Sequence, residues 1–251
     1  MGEVYLWRGS AEQRANRSLS GKWDRFRYFN HQLGYSNWRG KLVLDFGGNE
    51  GNLLLDHSCA IPPEHYYCLD VIKEALEAGR KRFPLAHWVY YNRYNCSFNP
   101  DGIRDLPIPD MGVKFDVIVA YSVFTHTTRE EMHTLVDQLT AQLRPGGTLA
   151  FTFFDPHWAG NFRRRLQRTQ NGNGHVNVDR LVEQSRGAEW CAVINGSELH
   201  INNNGTWSNE SESCLTYDVY HSVKFMRREF PGAIIRPPLN GHMQQCCLIT
   251  R

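Results

Sequence analysis

The sequence predicts an α/β fold in which helices cover both faces of a seven-stranded, mostly parallel sheet, with a β-hairpin inserted after the fifth strand. Two observations carry this prediction. Short apolar runs alternate with amphipathic segments as far as residue 154, a pattern typical of strand–helix–strand units with right-handed crossovers. Two more apolar runs close the chain and supply the last two strands.

Each predicted strand is a short run of apolar and β-branched residues. The runs are 42–46, 65–70, 87–91, 115–121, 148–154, 232–236 and 244–250. Helical spacing predicts helices over 20–33, with Ser20 as cap, over 71–83, over the segment that Thr128 and Glu131 begin, and over 223–230. A loop and helix are expected after the first strand, and 144–147 is expected to end the helix before the fifth.

Composition excludes several classes of protein. The net charge is +2, from 28 Lys+Arg against 26 Asp+Glu, so nothing draws the whole chain to nucleic acid or to an anionic membrane. No run approaches the roughly 18 apolar residues that a membrane span needs, and the start lacks a signal-peptide pattern. Seven cysteines without a C-x-x-C pair predict reduced thiols and a cytoplasmic location, and no spacing suggests a metal site.

The most informative segment runs from the first strand into a glycine-rich turn, LVLDFGGNEG (42–51). Glycines let the chain turn sharply and let a ligand approach its backbone. Asp70 ends the next strand about 20 residues on, where an acidic side chain can accept hydrogen bonds from ribose hydroxyls. The dinucleotide pattern G-x-G-x-x-G would need a glycine at Phe46. Asp45 suits a ligand with an ammonium group better than one with pyrophosphate.

Four segments in this order resemble the class I, Rossmann-like S-adenosylmethionine-dependent methyltransferases of small-molecule type. They are LDFGGNEG (44–51), YYCLDV (66–71), FDVIVAYSVFTH (115–126) and LRPGGTLAFTF (143–153). The resemblance covers about residues 40–155 and implies S-adenosylmethionine as the cofactor. Two positions depart from the family pattern, since Asn49 replaces its usual second glycine and Asn92 its usual adenine-contacting acid.

The resemblance also assigns roles to individual residues. The glycines would line the methionine part, Asp70 would hold the ribose, Val71 would pack on the adenine and Asn92 would reach its amino group. The residues expected to bind the cofactor are Gly47, Gly48, Asn49, Gly51, Asp70, Val71, Asn92 and Tyr121.

Methyl transfer needs positioning and, for some acceptors, a base that removes a proton. His126, directly after the fourth strand, is the first candidate for that base, and Asp155 and His157 follow the fifth strand. Each has a structural alternative. His126 could be held by local bonds at the start of a helix, and Asp155 and His157 could serve the turn at Pro156.

We therefore predict one domain over 1–251. Its parts are an N-terminal helical lid (1–39), a cofactor-binding core (40–155), a substrate-covering insertion (156–217) and a C-terminal helix with strands (218–251). Asn195 and Gly196 predict a type I′ turn that joins strands at 191–194 and 197–201.

The expected activity is methyl transfer to an oxygen, nitrogen or activated carbon of a small molecule such as a secondary metabolite, without nucleic-acid or membrane partners. A homodimer is left open. Two alternatives remain, a protein that binds the cofactor without transferring a methyl group, and a nicotinamide-dependent oxidoreductase.

Overall fold

The computed structural model describes residues 24–95, 98–155, 190–194, 198–202, 217–239 and 242–251. These residues divide into two compact units. The first holds the described chain up to Tyr121 together with Asp137–Ala150 and Thr250–Arg251. The second holds Ser122–Val136 and the described part of Phe151–Ile249.

The main sheet has seven strands in the order β3-β2-β1-β4-β5-β10-β9. Strand β1 pairs in parallel with β2 and β4, β2 pairs in parallel with β3, and β10 is antiparallel to β9. The strands are β1 (Val43–Phe46), β2 (Tyr66–Asp70), β3 (His87–Tyr90), β4 (Phe115–Ala120), β5 (Leu143–Phe153), β9 (Ile234–Arg236) and β10 (Gln245–Thr250). The predicted seven-stranded, mostly parallel α/β sheet is confirmed.

The described helices lie where helical spacing predicts them. They are α1 (Arg25–Leu33), α2 (Lys73–Arg82), α3 (Arg129–Ala141) and α4 (Val223–Glu229). The capping box of α3 forms, since the Thr128 N–H donates to Glu131 Oε2 at 2.9 Å and the Glu131 N–H to Thr128 Oγ1 at 3.1 Å. Helix α1 begins at Arg25 with Asp24 as its N-cap residue, so the expected cap at Ser20 is wrong, and the helix ends at Gly34 with φ 67°. Every helix in the described ranges is too short or too polar to cross a membrane.

Strand β5 begins five residues before the predicted start, so the expectation that 144–147 merely ends a helix is wrong. The Gly146 N–H donates to the Arg251 carbonyl at 2.9 Å, and the Arg251 N–H donates to the Gly147 carbonyl at 3.0 Å. A Cβ on Gly147 would lie 2.9 Å from the Phe115 carbonyl oxygen. The glycines thus let this part of the chain pair closely as a strand.

The helix expected directly after β1 is also absent from the described chain, where residues 47–58 form successive turns. Single helical bonds do occur, such as that from the Asn52 N–H to the Gly48 carbonyl at 2.9 Å. Left-handed backbone angles at Asn49 (φ 56°) and Gly51 (φ 90°) interrupt any regular helix there.

A second sheet in the second unit has the order β7-β6-β8, formed by β6 (Trp190–Ile194), β7 (Glu198–Asn202) and β8 (Tyr217–His221). Strands β6 and β7 are antiparallel, with Ile194 opposite Glu198 and Trp190 opposite Asn202. Asn195 and Gly196, the predicted turn residues, lie outside the described residues. A parallel bridge between Phe154 and Tyr220 connects β8 with the residue that follows β5.

Candidate functional site

The loop after β1 turns through three left-handed residues, Gly47 (φ 75°), Asn49 (φ 56°) and Gly51 (φ 90°). Asparagine is among the few residues with a side chain that adopt this conformation readily, so Asn49 can stand where the family pattern has glycine. A Cβ on Gly48 would lie 2.7 Å from Asp45 Oδ2 and 2.8 Å from Cys68 Sγ. The side chains of Asp45 and Cys68 therefore leave room only for glycine at position 48.

Five backbone N–H groups of this loop, those of Gly47 and of residues 49–52, donate hydrogen bonds within the protein. The Gly47 N–H binds the Leu69 carbonyl at 2.8 Å, and the N–H groups of Gly51 and Asn52 bind the Gly48 carbonyl at 3.0 and 2.9 Å. The N–H of Asn49 binds Asp70 Oδ2, and that of Glu50 binds the Asn49 side chain. A dinucleotide loop directs such N–H groups at pyrophosphate, and here they are already engaged.

Asp70 ends β2 and fixes the loop beside it. Its Oδ2 accepts the Asn49 N–H at 2.7 Å, and its Oδ1 accepts the Ile72 N–H at 2.9 Å. Burial raises the pKa of the Asp70 carboxyl, and the backbone N–H groups that bind it act in the opposite direction. Because each carboxylate oxygen has a second lone pair, the same group can hold the loop and accept hydrogen bonds from a ligand.

Asp45, at the end of β1, is a second buried carboxyl group beside the loop. The Tyr66 hydroxyl donates to its Oδ2 at 2.7 Å. Burial raises the pKa of Asp45 to about 7; the Tyr66 hydrogen bond lowers it, nearby Asp70 raises it and Arg25 lowers it. Two buried carboxyl groups make this end of the sheet suited to ligands that carry hydroxyl and ammonium groups, and hostile to pyrophosphate.

Helix α1 brings a cation to the same unit. The guanidinium carbon of Arg25 lies 3.3 Å from the centroid of the Tyr121 ring, directly after β4. Tyr28 and Phe29 pack edge-on against that ring, with centroids 5.4 and 6.1 Å away. Burial lowers the pKa of Arg25, while Tyr121, Asp24 and Asp45 raise it. Sequence reasoning missed Arg25, although it lies on the predicted lid helix three residues before Tyr28.

Asn92 follows β3 and is half-buried. Asn99 Nδ2 donates to the Arg93 carbonyl at 2.9 Å, which identifies that end of Asn99 as its amino group. The same nitrogen donates to Asn92 Oδ1 at 3.1 Å, and the Tyr90 hydroxyl donates there at 2.7 Å. With its oxygen engaged twice, Asn92 offers its amino group to a ligand. Val71, the residue after Asp70, is also half-buried.

The second unit holds two of the candidate catalytic residues, and His157 lies outside the described residues. His126 is half-buried at the end of a short 3-10 helix (Phe124–His126), and its N–H donates to the Val123 carbonyl at 2.9 Å. Asp155 follows β5 and is buried, and Gln245 Nε2 donates to its Oδ2 at 3.0 Å.

Ser122 is the first residue of the second unit and has a left-handed backbone, with φ 60°. Its N–H donates to Thr152 Oγ1 at 2.7 Å, and Gln244 Nε2 donates to its hydroxyl at 2.9 Å. The Thr152 hydroxyl in turn donates to Gln244 Oε1. Such a conformation in a residue with a side chain persists only where its surroundings hold it, and it is common at functional sites.

The comparison with protein families decides the identity of the core. Residues 44–149 match the model of a methyltransferase domain. This part of the chain is a methyltransferase domain, and its α/β fold is the one seen in solved S-adenosylmethionine-dependent methyltransferases. The match begins within β1, includes the glycine loop and Asp70, and ends in β5. These are the segments that carry the resemblance found in the sequence.

Solved structures, two of them of methyltransferases, share the fold over nearly the whole chain. CalS10, an amino pentose methyltransferase from Micromonospora echinaspora, is 14% identical with a TM-score of 0.54, over 100% of this chain and 99% of that one. An S-adenosylmethionine-dependent methyltransferase from Clostridium acetobutylicum is 10% identical with a TM-score of 0.54, over 95% and 96%. DesVI from Streptomyces venezuelae is 12% identical with a TM-score of 0.51, over 96% and 98%.

Proposed function

We propose that this methyltransferase moves the methyl group of S-adenosylmethionine to an oxygen, nitrogen or activated carbon of a small molecule. The observation that carries the choice of cofactor is the hydrogen bonding of the glycine loop. Its N–H groups at Gly47, Asn49 and Gly51 are engaged within the protein, and two buried carboxyl groups lie beside them. This arrangement favours a ligand that donates hydrogen bonds over one that presents phosphates.

The residues present fit each part of such a cofactor. Asp70 would accept hydrogen bonds from the ribose hydroxyls, and Val71 would pack against the adenine. Asn92 would donate to a ring nitrogen of the adenine, because its oxygen is already engaged by Tyr90 and Asn99. This differs from the expectation that Asn92 would contact the adenine amino group.

The methionine end of the cofactor carries an ammonium and a carboxylate group, and the first unit contains side chains of opposite charge for each. Asp45 is the buried acid at the end of β1, and Arg25 is the cation of α1. We propose that the ammonium group is attracted to Asp45 and the carboxylate to Arg25, with Tyr121 forming the wall between adenosine and methionine. Gly47, Gly48, Asn49 and Gly51 would supply the backbone surface.

When bound, the cofactor supplies a methyl group on a positively charged sulfur, a good leaving group that departs as a neutral thioether. The protein's residues would orient the acceptor and take up its proton. His126 remains the first candidate for the base, with Asp155 and His157 as further candidates. A small-molecule acceptor is supported by the near-neutral charge of the chain and by the fold shared with an amino pentose methyltransferase.

The segment 156–217 is proposed to cover the acceptor, and 1–39 to close over the cofactor. The antiparallel strands β6 and β7 lie within 156–217 and support its covering role, because paired strands can bury an apolar face over a ligand. The predictions of a cytoplasmic, single-domain chain and of an optional homodimer stay predictions.

The transfer assay that tests this proposal uses S-adenosylmethionine labelled in its methyl group and a panel of hydroxyl-, amino- and carbon-acid compounds. We expect S-adenosylhomocysteine and a labelled product with at least one compound. His126→Ala should lower turnover by roughly 10²–10⁴-fold while leaving S-adenosylhomocysteine affinity unchanged. His57→Ala, in a surface turn, is the matched control. A loss under about fivefold in His126→Ala would remove His126 from the chemistry.

A further inference from the structure

His221, the last residue of β8, is a fully buried histidine that sequence reasoning did not single out. Its N–H donates to the Phe154 carbonyl at 2.8 Å, so its backbone lies beside the residue that follows β5. Ligands of open α/β sheets bind at the carboxyl ends of the strands. The backbone of His221 therefore lies beside the carboxyl end of β5, the end of a strand at which ligands of such sheets bind.

The imidazole of His221 is held by packing and not by hydrogen bonds. Its ring is stacked on Phe225, with centroids 5.0 Å apart and 15° between the planes. Within the described part of the chain neither ring nitrogen has a hydrogen-bond partner, and both are buried. A buried polar group without a partner destabilises the fold, so stability alone would favour phenylalanine at this position.

The charged groups near His221 satisfy one another instead. Glu229 accepts from Arg129 Nη2 at 2.7 Å, from His133 Nε2 at 2.8 Å and from Arg228 Nε at 2.9 Å. Burial lowers the pKa of His221 to about 3, with further lowering by His133, opposed by Glu229. The ring is therefore neutral near pH 7 and has one N–H donor and one acceptor nitrogen.

A second buried polar atom without a partner lies at the same end of β5. Gln245 Nε2 donates to Asp155 Oδ2 at 3.0 Å, and because a carboxylate only accepts, the other end of the amide is its oxygen. That Oε1 is buried and has no partner among the described residues. Phe154 is bridged in parallel to Tyr220, so the backbones of Asp155 and His221 each lie one residue beyond the bridge.

We propose that His221 and Gln245 form a polar subsite for an uncharged hydroxyl group of the methyl acceptor. Such a hydroxyl can donate to Gln245 Oε1 and accept from the His221 N–H, which gives a partner to the buried amide oxygen and to one of the two buried imidazole nitrogens. An anionic group would be desolvated here without an opposite charge, because the imidazole and the amide are both neutral and the Asp155 carboxylate lies 3.0 Å from Gln245 Nε2. The assignment rests on the proposed methyl transfer, and it names an acceptor class, small molecules with a neutral hydroxyl group.

The test compares four forms of the full chain: wild type, His221→Phe, His221→Asn and Thr140→Val. Phenylalanine keeps the stack on Phe225 and removes both polar atoms, whereas asparagine keeps one donor and one acceptor. Thr140 is the matched control, since its hydroxyl is also buried without a partner among the described residues but lies on α3. Unfolding midpoint, S-adenosylhomocysteine affinity and kcat/KM with a hydroxyl compound from the panel are measured for each.

We expect His221→Phe to unfold at the same temperature as wild type or up to about 4 °C higher. Its S-adenosylhomocysteine affinity should change less than twofold, while kcat/KM for the hydroxyl acceptor falls about 10- to 100-fold. His221→Asn should recover part of that loss, and Thr140→Val should keep the full kcat/KM.

Three results would overturn the subsite. They are an unchanged kcat/KM in His221→Phe, an equal loss with acceptors that lack a hydroxyl group, and a lower unfolding midpoint in His221→Phe, which would assign the imidazole to stability. Failure of the proposed function is different, because wild type and Thr140→Val would then also show neither S-adenosylhomocysteine binding nor turnover. In that case a lower unfolding midpoint of His221→Phe would still show that the imidazole stabilises the fold.

Discussion

Among single residues, Asp70 holds the glycine loop in shape and is the proposed ribose-binding residue. It accepts N–H groups from Asn49 and Ile72, and it is proposed to accept the ribose hydroxyls as well. Asp70→Ala should weaken S-adenosylhomocysteine binding by about 1–3 kcal/mol, the range for loss of a charged hydrogen-bond acceptor. Calorimetric titration measures this, with Asp101→Ala on an exposed loop as control. Equal affinities in both variants would remove Asp70 from the ribose site.

Asp45 gives the chain a pH dependence with a defined sign. Its pKa of about 7 in the folded chain lies above the ordinary value near 3.9, so the folded state holds a proton that the unfolded state releases. The carboxyl contributes stability that is fully present below about pH 4 and is lost as the pH rises through 7.

The neutral variant Asp45→Asn, which can still accept the Tyr66 hydrogen bond, should lack this dependence. Between pH 5 and pH 8, wild type should lose about 1–3 kcal/mol of unfolding free energy relative to the variant. Urea unfolding at both values measures the difference, and Asp101→Asn serves as the control. A difference that stays constant between the two pH values would contradict a raised pKa for Asp45.

What the sequence could predict at this scale depends on distance along the chain. The loop glycines and Asp70 follow strands that the apolar pattern locates, so their positions were predictable. The approach of Arg25 to Tyr121 and the isolation of His221 depend on long-range packing that no local pattern encodes. The partners of Asn92 are close in sequence, but no motif predicts that Tyr90 and Asn99 bind its side chain.

At the scale of elements, the same distinction explains where the predicted boundaries were wrong. Strand β5 begins early because Gly146 and Gly147 pair with Arg251 at the far end of the chain. Turn residues between apolar runs normally end an element, and only the distant partner extends this one. The missing helix after β1 has a local cause, the left-handed angles of Asn49 and Gly51, which a glycine-rich motif already signals.

Helix α2 packs against Trp88 through Gly79. Alanine usually stabilises a helix interior by about 1 kcal/mol relative to glycine. Here a Cβ would lie 2.2 Å from Trp88 Cη2, and a Cβ on Gly51 would lie 2.8 Å from the same atom. Gly79→Ala should therefore destabilise the protein by about 1–3 kcal/mol in urea unfolding. In a Trp88→Leu background the sign should reverse, and stabilisation in the wild-type background would refute this packing.

Deletion of part of the insertion should affect acceptor binding and leave cofactor binding intact. Strands β6 and β7 belong to the second unit, whereas the glycine loop and Asp70 belong to the first. Deletion of 190–208 should leave S-adenosylhomocysteine affinity within about twofold and abolish transfer to any acceptor of the panel. Circular dichroism of the shortened chain, compared with wild type, checks that it is folded. Transfer at the wild-type rate after the deletion would contradict a substrate-covering role.

For the whole molecule, alternation of strands and helices was enough to predict the sheet and its parallel character. Right-handed crossovers and adjacent consecutive strands leave few arrangements, and the observed order β3-β2-β1-β4-β5-β10-β9 is one of them. The fold alone does not choose between a methyltransferase and a nicotinamide enzyme. That choice comes from the hydrogen bonding of one loop and from the family match over 44–149.

The most direct test of this choice is calorimetric titration of the full chain with S-adenosylhomocysteine and, separately, with NAD. Because the loop N–H groups are engaged and two acids border the loop, S-adenosylhomocysteine should bind at one site and raise the unfolding midpoint, whereas NAD should do neither. Binding of NAD with the same affinity as S-adenosylhomocysteine, or binding of NAD alone, would contradict the assignment of the cofactor.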